Sequence, residues 1–131
     1  MLAAMPYTLV VSSNASCRKL YVDNLVRRGY LAVSVASAVE AEGLLGTTRP
    51  HLILVCCMPV GYEQEIEQLR TTYRLPGTLV LMGRDKPDPA WVERWHVDLC
   101  PADAADVRQL VETLRPWLPV KERQSQPTRL S

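Results

Sequence analysis

Leu52-Ile53-Leu54-Val55-Cys56-Cys57 is the stretch that decides the fold. Every residue in it is apolar, and the run is too short for a core helix. A strand that alternates polar and apolar residues has one wet face; a strand that is apolar throughout is buried on both faces, as in the centre of a parallel sheet covered by helices. Arg49-Pro50 leads into it, and the loop Met58-Pro59-Val60-Gly61 follows it.

Working outward, the neighbouring segments alternate between strand and helix patterns. Tyr7-Thr8-Leu9-Val10-Val11 is a short β-branched run that stops at the turn formers Ser12-Ser13-Asn14. Ala15 to Arg28 predicts a helix with Leu20, Leu25 and Val26 for its apolar face, closed by Gly29. Leu31-Ala32-Val33-Ser34-Val35 predicts a second strand with period-two alternation, and Ser37 caps a short helix ending at Gly46. Beyond the central run, Glu63 to Tyr73 is a helix with Ile66 and Leu69 inward, broken by Pro76-Gly77. Thr78 to Met82 is a fourth strand ended by Gly83. Asp88 and Pro89 stand at N-cap and N1 of a short helix bearing Trp91 and Trp95. Val97 to Cys100 is a fifth strand. After Pro101, Asp103 caps a last helix whose Val107, Leu110, Val111, Leu114 and Leu118 recur at spacings of three and four, with Pro116 ending or kinking it. This βαβαβαβαβα order, with short connections, predicts an α/β fold: a doubly wound parallel sheet with helices on both faces.

Composition bounds the function. The chain has 131 residues, enough for one domain, and 47% of them are hydrophobic. Fifteen basic against fourteen acidic residues leave a net charge of +1, which argues against a dedicated nucleic-acid module. Met1-Leu2-Ala3-Ala4-Met5-Pro6 lacks the pattern of a signal peptide. No apolar run reaches the roughly 20 residues that span a bilayer. A cytoplasmic location is therefore expected, in which Cys17, Cys56, Cys57 and Cys100 default to free thiols. Residues 1–118 read as the domain. Residues 119–131 are polar, without a core pattern, and read as a tail or interdomain linker, so the chain is expected to be the amino-terminal piece of a longer regulator.

Over about residues 6 to 118 the pattern resembles the receiver domain of bacterial response regulators, of the chemotaxis-regulator type. Val10-Val11-Ser12-Ser13-Asn14 stands where receivers have a strand ending in paired acidic residues. Arg49-Pro50-His51-Leu52-Ile53-Leu54-Val55-Cys56 resembles the string leading to the phosphorylated aspartate, and Met58-Pro59 the Met-Pro after it. Cys100-Pro101 stands where receivers carry Lys-Pro. The resemblance implies a five-stranded sheet in the order 2-1-3-4-5. It also implies a partner-binding face on the fourth helix, fifth strand and fifth helix, which here carry Trp91, Trp95, Val97, Leu99 and Arg108; for Trp91 and Trp95, four apart on one helix face, core packing and an interface are both open.

The departures concern the phosphorylation set. Ser12 and Ser13 replace the acidic pair, and Cys56, or Val55 if the gap lies earlier, replaces the acceptor. Gly83 replaces the hydroxyl residue and Cys100 the lysine. Magnesium prefers carboxylate oxygens; neutral hydroxyls bind it poorly and thiols are soft. The expectation is a pseudo-receiver in signalling or transcription regulation. It would not be an enzyme, would use no cofactor or metal, and would bind a protein partner or a second copy of itself, with no direct nucleic-acid or membrane binding. The alternative is a redox- or ligand-sensing domain using the vacated pocket, with Cys17, Cys56 and Cys57 as redox candidates. Against it stands the ordinary behaviour of cysteine as a small buried hydrophobe. His51 and His96 open strands and read as solvated edge residues. No nucleophile elbow or phosphate-cradling glycine loop is present.

Overall fold

The structure is a computed structural model and describes residues 6–45, 48–56, 62–71, 78–83, 87–101 and 110–119. Five strands, β1 (Tyr7–Val11), β2 (Leu31–Val35), β3 (Leu52–Val55), β4 (Thr78–Gly83) and β5 (Val97–Pro101), form one parallel sheet in the order β2-β1-β3-β4-β5. The helices are α1 (Ala15–Arg27), α2 (Glu42–Leu45, after a 3-10 turn Val39–Ala41), α3 (Tyr62–Thr71), α4 (Pro89–Trp95) and α5 (Leu110–Leu114). The fold class and strand order expected from the sequence are those observed.

Strand alternation splits the core into two layers. Leu9, Val11, Ile53, Val55, Leu79, Leu81 and Val97 face α3 and α4 and pack with Ile66 and Leu69. Val10, Leu52, Leu54, Cys56, Val80, Met82 and Cys100 face the other way and pack with Leu25, Val111 and Leu114 of α1 and α5. All four residues of β3 are buried, as its uninterrupted apolar sequence requires of the central strand.

Local chemistry fixes the helix ends. Asn14 caps α1, its side chain accepting the Cys17 N–H at 2.9 Å. Gly29, at φ 90°, closes it in a Schellman motif: Tyr30 N–H donates to Leu25 O and Gly29 N–H to Val26 O. Asp88 caps α4 as expected, with Pro89 inside the first turn.

Several expectations are corrected. The inward face of α1 is Cys17, Tyr21 and Leu25, four apart; Leu20 and Val26 are 48% and 52% exposed. The sheet, and not local hydrophobicity, chooses which stripe is covered. The alternation read in β2 is not matched by burial. Leu31 and Val33 are exposed, because β2 is an edge strand of the sheet. The described part of α3 already includes Tyr62, one residue before the expected start, and Tyr62 is buried against Trp91. The described part of α5 ends at Leu114, before Pro116, with a turn carrying Leu118 back into the core. The expected cap Asp103, the start of that helix at Val107, the linker residues 120–131 and the ends of the Gly46- and Tyr73-bounded helices lie outside the described residues.

Candidate functional site at the carboxyl ends of the strands

The register of the sheet sets the site. Val11 pairs with Val55, and Val55 with Leu81. The next level is therefore Ser12, Cys56, Met82 and Cys100, the last two a register pair. Backbone bonds hold that level: Ser12 N–H donates to Val35 O, and Cys56 N–H to Val11 O. Cys56, Met82 and Cys100 share the α1/α5 face. Val55 points into the opposite layer. Of the two residues the sequence left open at this position, Cys56 faces the α1/α5 layer with Met82 and Cys100, and Val55 does not.

Helix α1 completes the site. Its first turn carries Cys17 and its second Tyr21, one turn apart on the buried stripe. Cys17 Sγ lies 3.9 Å from Cys56 Sγ. Cys17 is disulfide-bonded, whereas Cys56 and Cys100 are free thiols. The expectation that all the cysteines are free thiols is therefore corrected at Cys17. Cys57, Met58 and Pro59, read from the sequence as part of this region, lie outside the described residues.

The electrostatics are those of an apolar pocket. Cys56 is 1% exposed, and burial pushes its thiol up to about 12. Burial raises the Cys100 thiol as well. Tyr21 is pushed up to about 12 by burial first, then by proximity to Cys56 and Cys100. These groups are neutral at physiological pH. Ser12 is buried and its hydroxyl accepts the Asn14 N–H at 3.1 Å, so it serves the turn before α1; Ser13 is exposed. The Arg18 guanidinium reaches the end of β1 but donates to the Ser12 carbonyl at 2.8 Å.

Magnesium, the ion the receiver resemblance implies, does not fit these donors. Two hydroxyls and protonated thiols offer it no anionic oxygen. Among the described residues, no three His, Cys, Asp or Glu side chains are grouped to hold a metal ion. Gly83 ends β4 opposite Pro101 and has no hydroxyl to offer.

The expected partner face is only partly available. Leu99 is 43% exposed, but Val97 is 5% exposed and belongs to the core, since the two lie on different levels of a strand covered by α4. Val97 is therefore withdrawn from the surface. Trp91 is mainly structural: its indole N–H donates to Glu67 Oε2 at 2.9 Å, and it meets Tyr62 edge-on at 6.1 Å. Trp95 is half-buried, with the Arg94 guanidinium 5.2 Å over its ring. Arg108 lies outside the described residues. His51 and His96 are both exposed, as expected, but His96 has a task the sequence did not advertise. It is the left-handed C-cap of α4, at φ 53°, and Arg70 donates to its carbonyl at 2.8 Å and to that of Trp95 at 3.0 Å. A shallow hollow of about 410 Å³ beside Arg70, His96 and Asp98 lies at the opposite end of the sheet from the thiols.

No protein-family model matches the chain, and no curated protein does. Solved structures do. The chemotaxis response regulator CheY4 of Vibrio cholerae superposes with a TM-score of 0.70 at 17% identity, over 88% of this chain and 100% of that one. A response regulator receiver protein from Pseudomonas putida gives 0.68 at 24% identity, over 88% and 99%. An orphan response regulator of H. pylori gives 0.65 at 11%, over 90% and 100%. At these identities the likeness is one of architecture: the chain has the five-stranded, 2-1-3-4-5 fold of CheY-like receiver domains.

Proposed function

We propose that the chain is a phosphorylation-independent, receiver-like module of bacterial signalling or transcription control that acts by binding a protein partner or a second copy of itself. One observation carries the reading. The level of the sheet where a receiver needs carboxylates, a hydroxyl and a lysine is occupied by Ser12, Cys56, Met82 and Cys100, closed over by Cys17 and Tyr21. Aspartyl phosphorylation requires an ionised acceptor, a divalent cation and a lysine beside them. This cluster offers buried thiols that are protonated at neutral pH. Without that chemistry the remaining asset of the fold is its surface, and the exposed Leu99 with half-buried Trp95 and Arg94 supports the α4–β5 side as the binding face. On this reading the module is not an enzyme and works in the cytoplasm. In keeping with that, none of its described helices is long and apolar enough to cross a membrane.

The test is incubation of the purified chain with acetyl phosphate and magnesium, followed by intact mass measurement. No phosphoryl adduct is expected under conditions that label a receiver with its aspartate intact. An adduct on any residue of the strand ends contradicts the proposal. In parallel, Leu99→Asp is expected to abolish whatever concentration-dependent association the parent chain shows in sedimentation, without altering its circular dichroism.

A further inference from the structure

Among the described residues β2 pairs with β1 alone, so its outer side is an open sheet edge. Its sequence, Leu31-Ala32-Val33-Ser34-Val35, has none of the lysine, proline or inward charge that usually blunts such an edge. The Val35 carbonyl accepts from the Ser12 N–H and so faces β1. Backbone groups alternate sides along a strand, so Leu31, Val33 and Val35 bond inward, while Ala32 and Ser34 turn their N–H and C=O outward. The open stretch is bounded at both ends. Beyond it the Ala36 N–H donates to Glu40 Oε1 at 2.8 Å; before it the Tyr30 N–H donates to Leu25 O at 3.0 Å. Leu31 and Val33 are 48% and 39% exposed on the face away from α1.

We infer that this edge pairs with the same edge of a second copy, the two β2 strands running antiparallel about a two-fold axis at Val33. The open stretch matches itself. Ala32 lies opposite Ser34 of the second copy and the two exchange both hydrogen bonds; Ser34 and the second copy's Ala32 do the same. A longer foreign strand would meet the Ala36 N–H already bonded. Val33 meets its own mate at the non-hydrogen-bonded position, where side chains approach closest, and Leu31 packs beside Val35 of the second copy.

Helix α1 fits the same arrangement. It joins β1 to β2 and lies over them, with Cys17, Tyr21 and Leu25 inward. Arg28 reaches Glu112 of α5, so that flank of α1 faces α5. Val22 and the 52% exposed Val26 lie on the other flank, above the β2 edge. Strands spaced about 4.8 Å apart set an α1 that straddles β1 and β2 about 10 Å from its two-fold mate, the distance at which helices pack. The outer surface of α1 carries Lys19 and Asp23, exposed and 3.0 Å apart. Antiparallel helices bring each Lys19 towards Asp23 of the second copy, where parallel ones would set like charge on like. The inference is independent of the reading of the α4–β5 side, since β5 is the opposite edge of the sheet. Edge pairing is complete at micromolar concentration and gives a fixed two-chain mass; concentration-dependent association through Leu99 adds to it.

The test is the mass of the full chain by light scattering on a sizing column, over a range of micromolar loadings. Two chains are expected for the parent and for Leu99→Asp, and one for Val33→Lys, with circular dichroism confirming that each is folded. Val33→Cys, exposed to oxidised glutathione, should form an interchain bond between the two introduced cysteines at least about tenfold faster than Ser34→Cys, whose copies point to the other face and stand out of register. Peptide mapping identifies the bond. A one-chain mass for the parent overturns the inference and leaves the edge to a strand of another protein. A two-chain mass that survives Val33→Lys, or equal cross-linking of the two cysteine variants, overturns it as well.

Discussion

Cys56→Asp places a carboxyl group at the end of β3, where the proposed reading sets the lost acceptor, and the structure predicts that it harms the fold. The site is 1% exposed, and its neighbours are Cys17, Tyr21, Met82 and Cys100. The Arg18 cation is turned onto the Ser12 carbonyl. Burial here lifts the native thiol from 9.0 to about 12. Applied to a carboxyl with an unfolded value of about 3.9, the same burial moves it to roughly 7. The folded state then holds its proton longer than the unfolded state, so stability falls as pH rises from about 4 to about 7 and is level above that. At about 1.4 kcal/mol per pH unit the full effect is about 4 kcal/mol; a hydrogen bond from Tyr21 trims it to about 2–4 kcal/mol. Urea unfolding at pH 5 and pH 8 reads this directly. With a slope of about 1–3 kcal/mol per molar urea, the variant's midpoint should fall by about 1–2 M more at pH 8 than at pH 5, relative to the parent. A variant as stable as the parent at pH 8, or one that magnesium restabilises, would refute the account of the pocket as apolar.

Other consequences are smaller. The Thr8 hydroxyl is fully buried without a hydrogen-bond partner, so Thr8→Val should raise stability by about 1 kcal/mol in the same assay. His96→Gly relieves a left-handed backbone and should stabilise by about 1 kcal/mol; a loss would mean that the imidazole makes a contact worth more than the strain. Trp91→Phe keeps the packing and loses the bond to Glu67, costing about 1 kcal/mol, whereas Trp91→Ala should cost about 3 kcal/mol or more. Equal costs for the two Trp91 substitutions would show that the ring does not fill the seam between α3 and α4.

The architecture was legible because its strongest signals do not depend on tertiary choice. An unbroken apolar run has one good home, the middle of a parallel sheet, and Gly29 and Asp88 announce helix ends by backbone and capping chemistry alone. Which stripe of α1 is inward was not legible. Leu20 and Val26 are more apolar than Tyr21, but the sheet lies on the side of residues 17, 21 and 25. Tyr21 and Tyr62 were missed because a tyrosine in a polar helix reads as surface, although Tyr21 one turn after Cys17 could have been found from the spacing. Burial at β2 failed because edge position is a property of the assembled sheet. The thiol level needed register: Ser12, Cys56, Met82 and Cys100 are far apart in sequence, and only strand pairing aligns them. His96 gave no signal, since glycine or asparagine is the usual left-handed cap. Only the absence of any linker between α4 and β5 demands a one-residue reversal there.

The measurement that tests the central claim most directly is an amide-resolved NMR titration of the chain with magnesium and then beryllofluoride, which mimics an aspartyl phosphate. The account predicts that the resonances of Ser12, Cys56 and Gly83 stay in place throughout. A saturable shift at those residues, followed by shifts in α4 and β5, would show a working phosphate site at the strand ends and contradict the claim that this receiver fold operates without one.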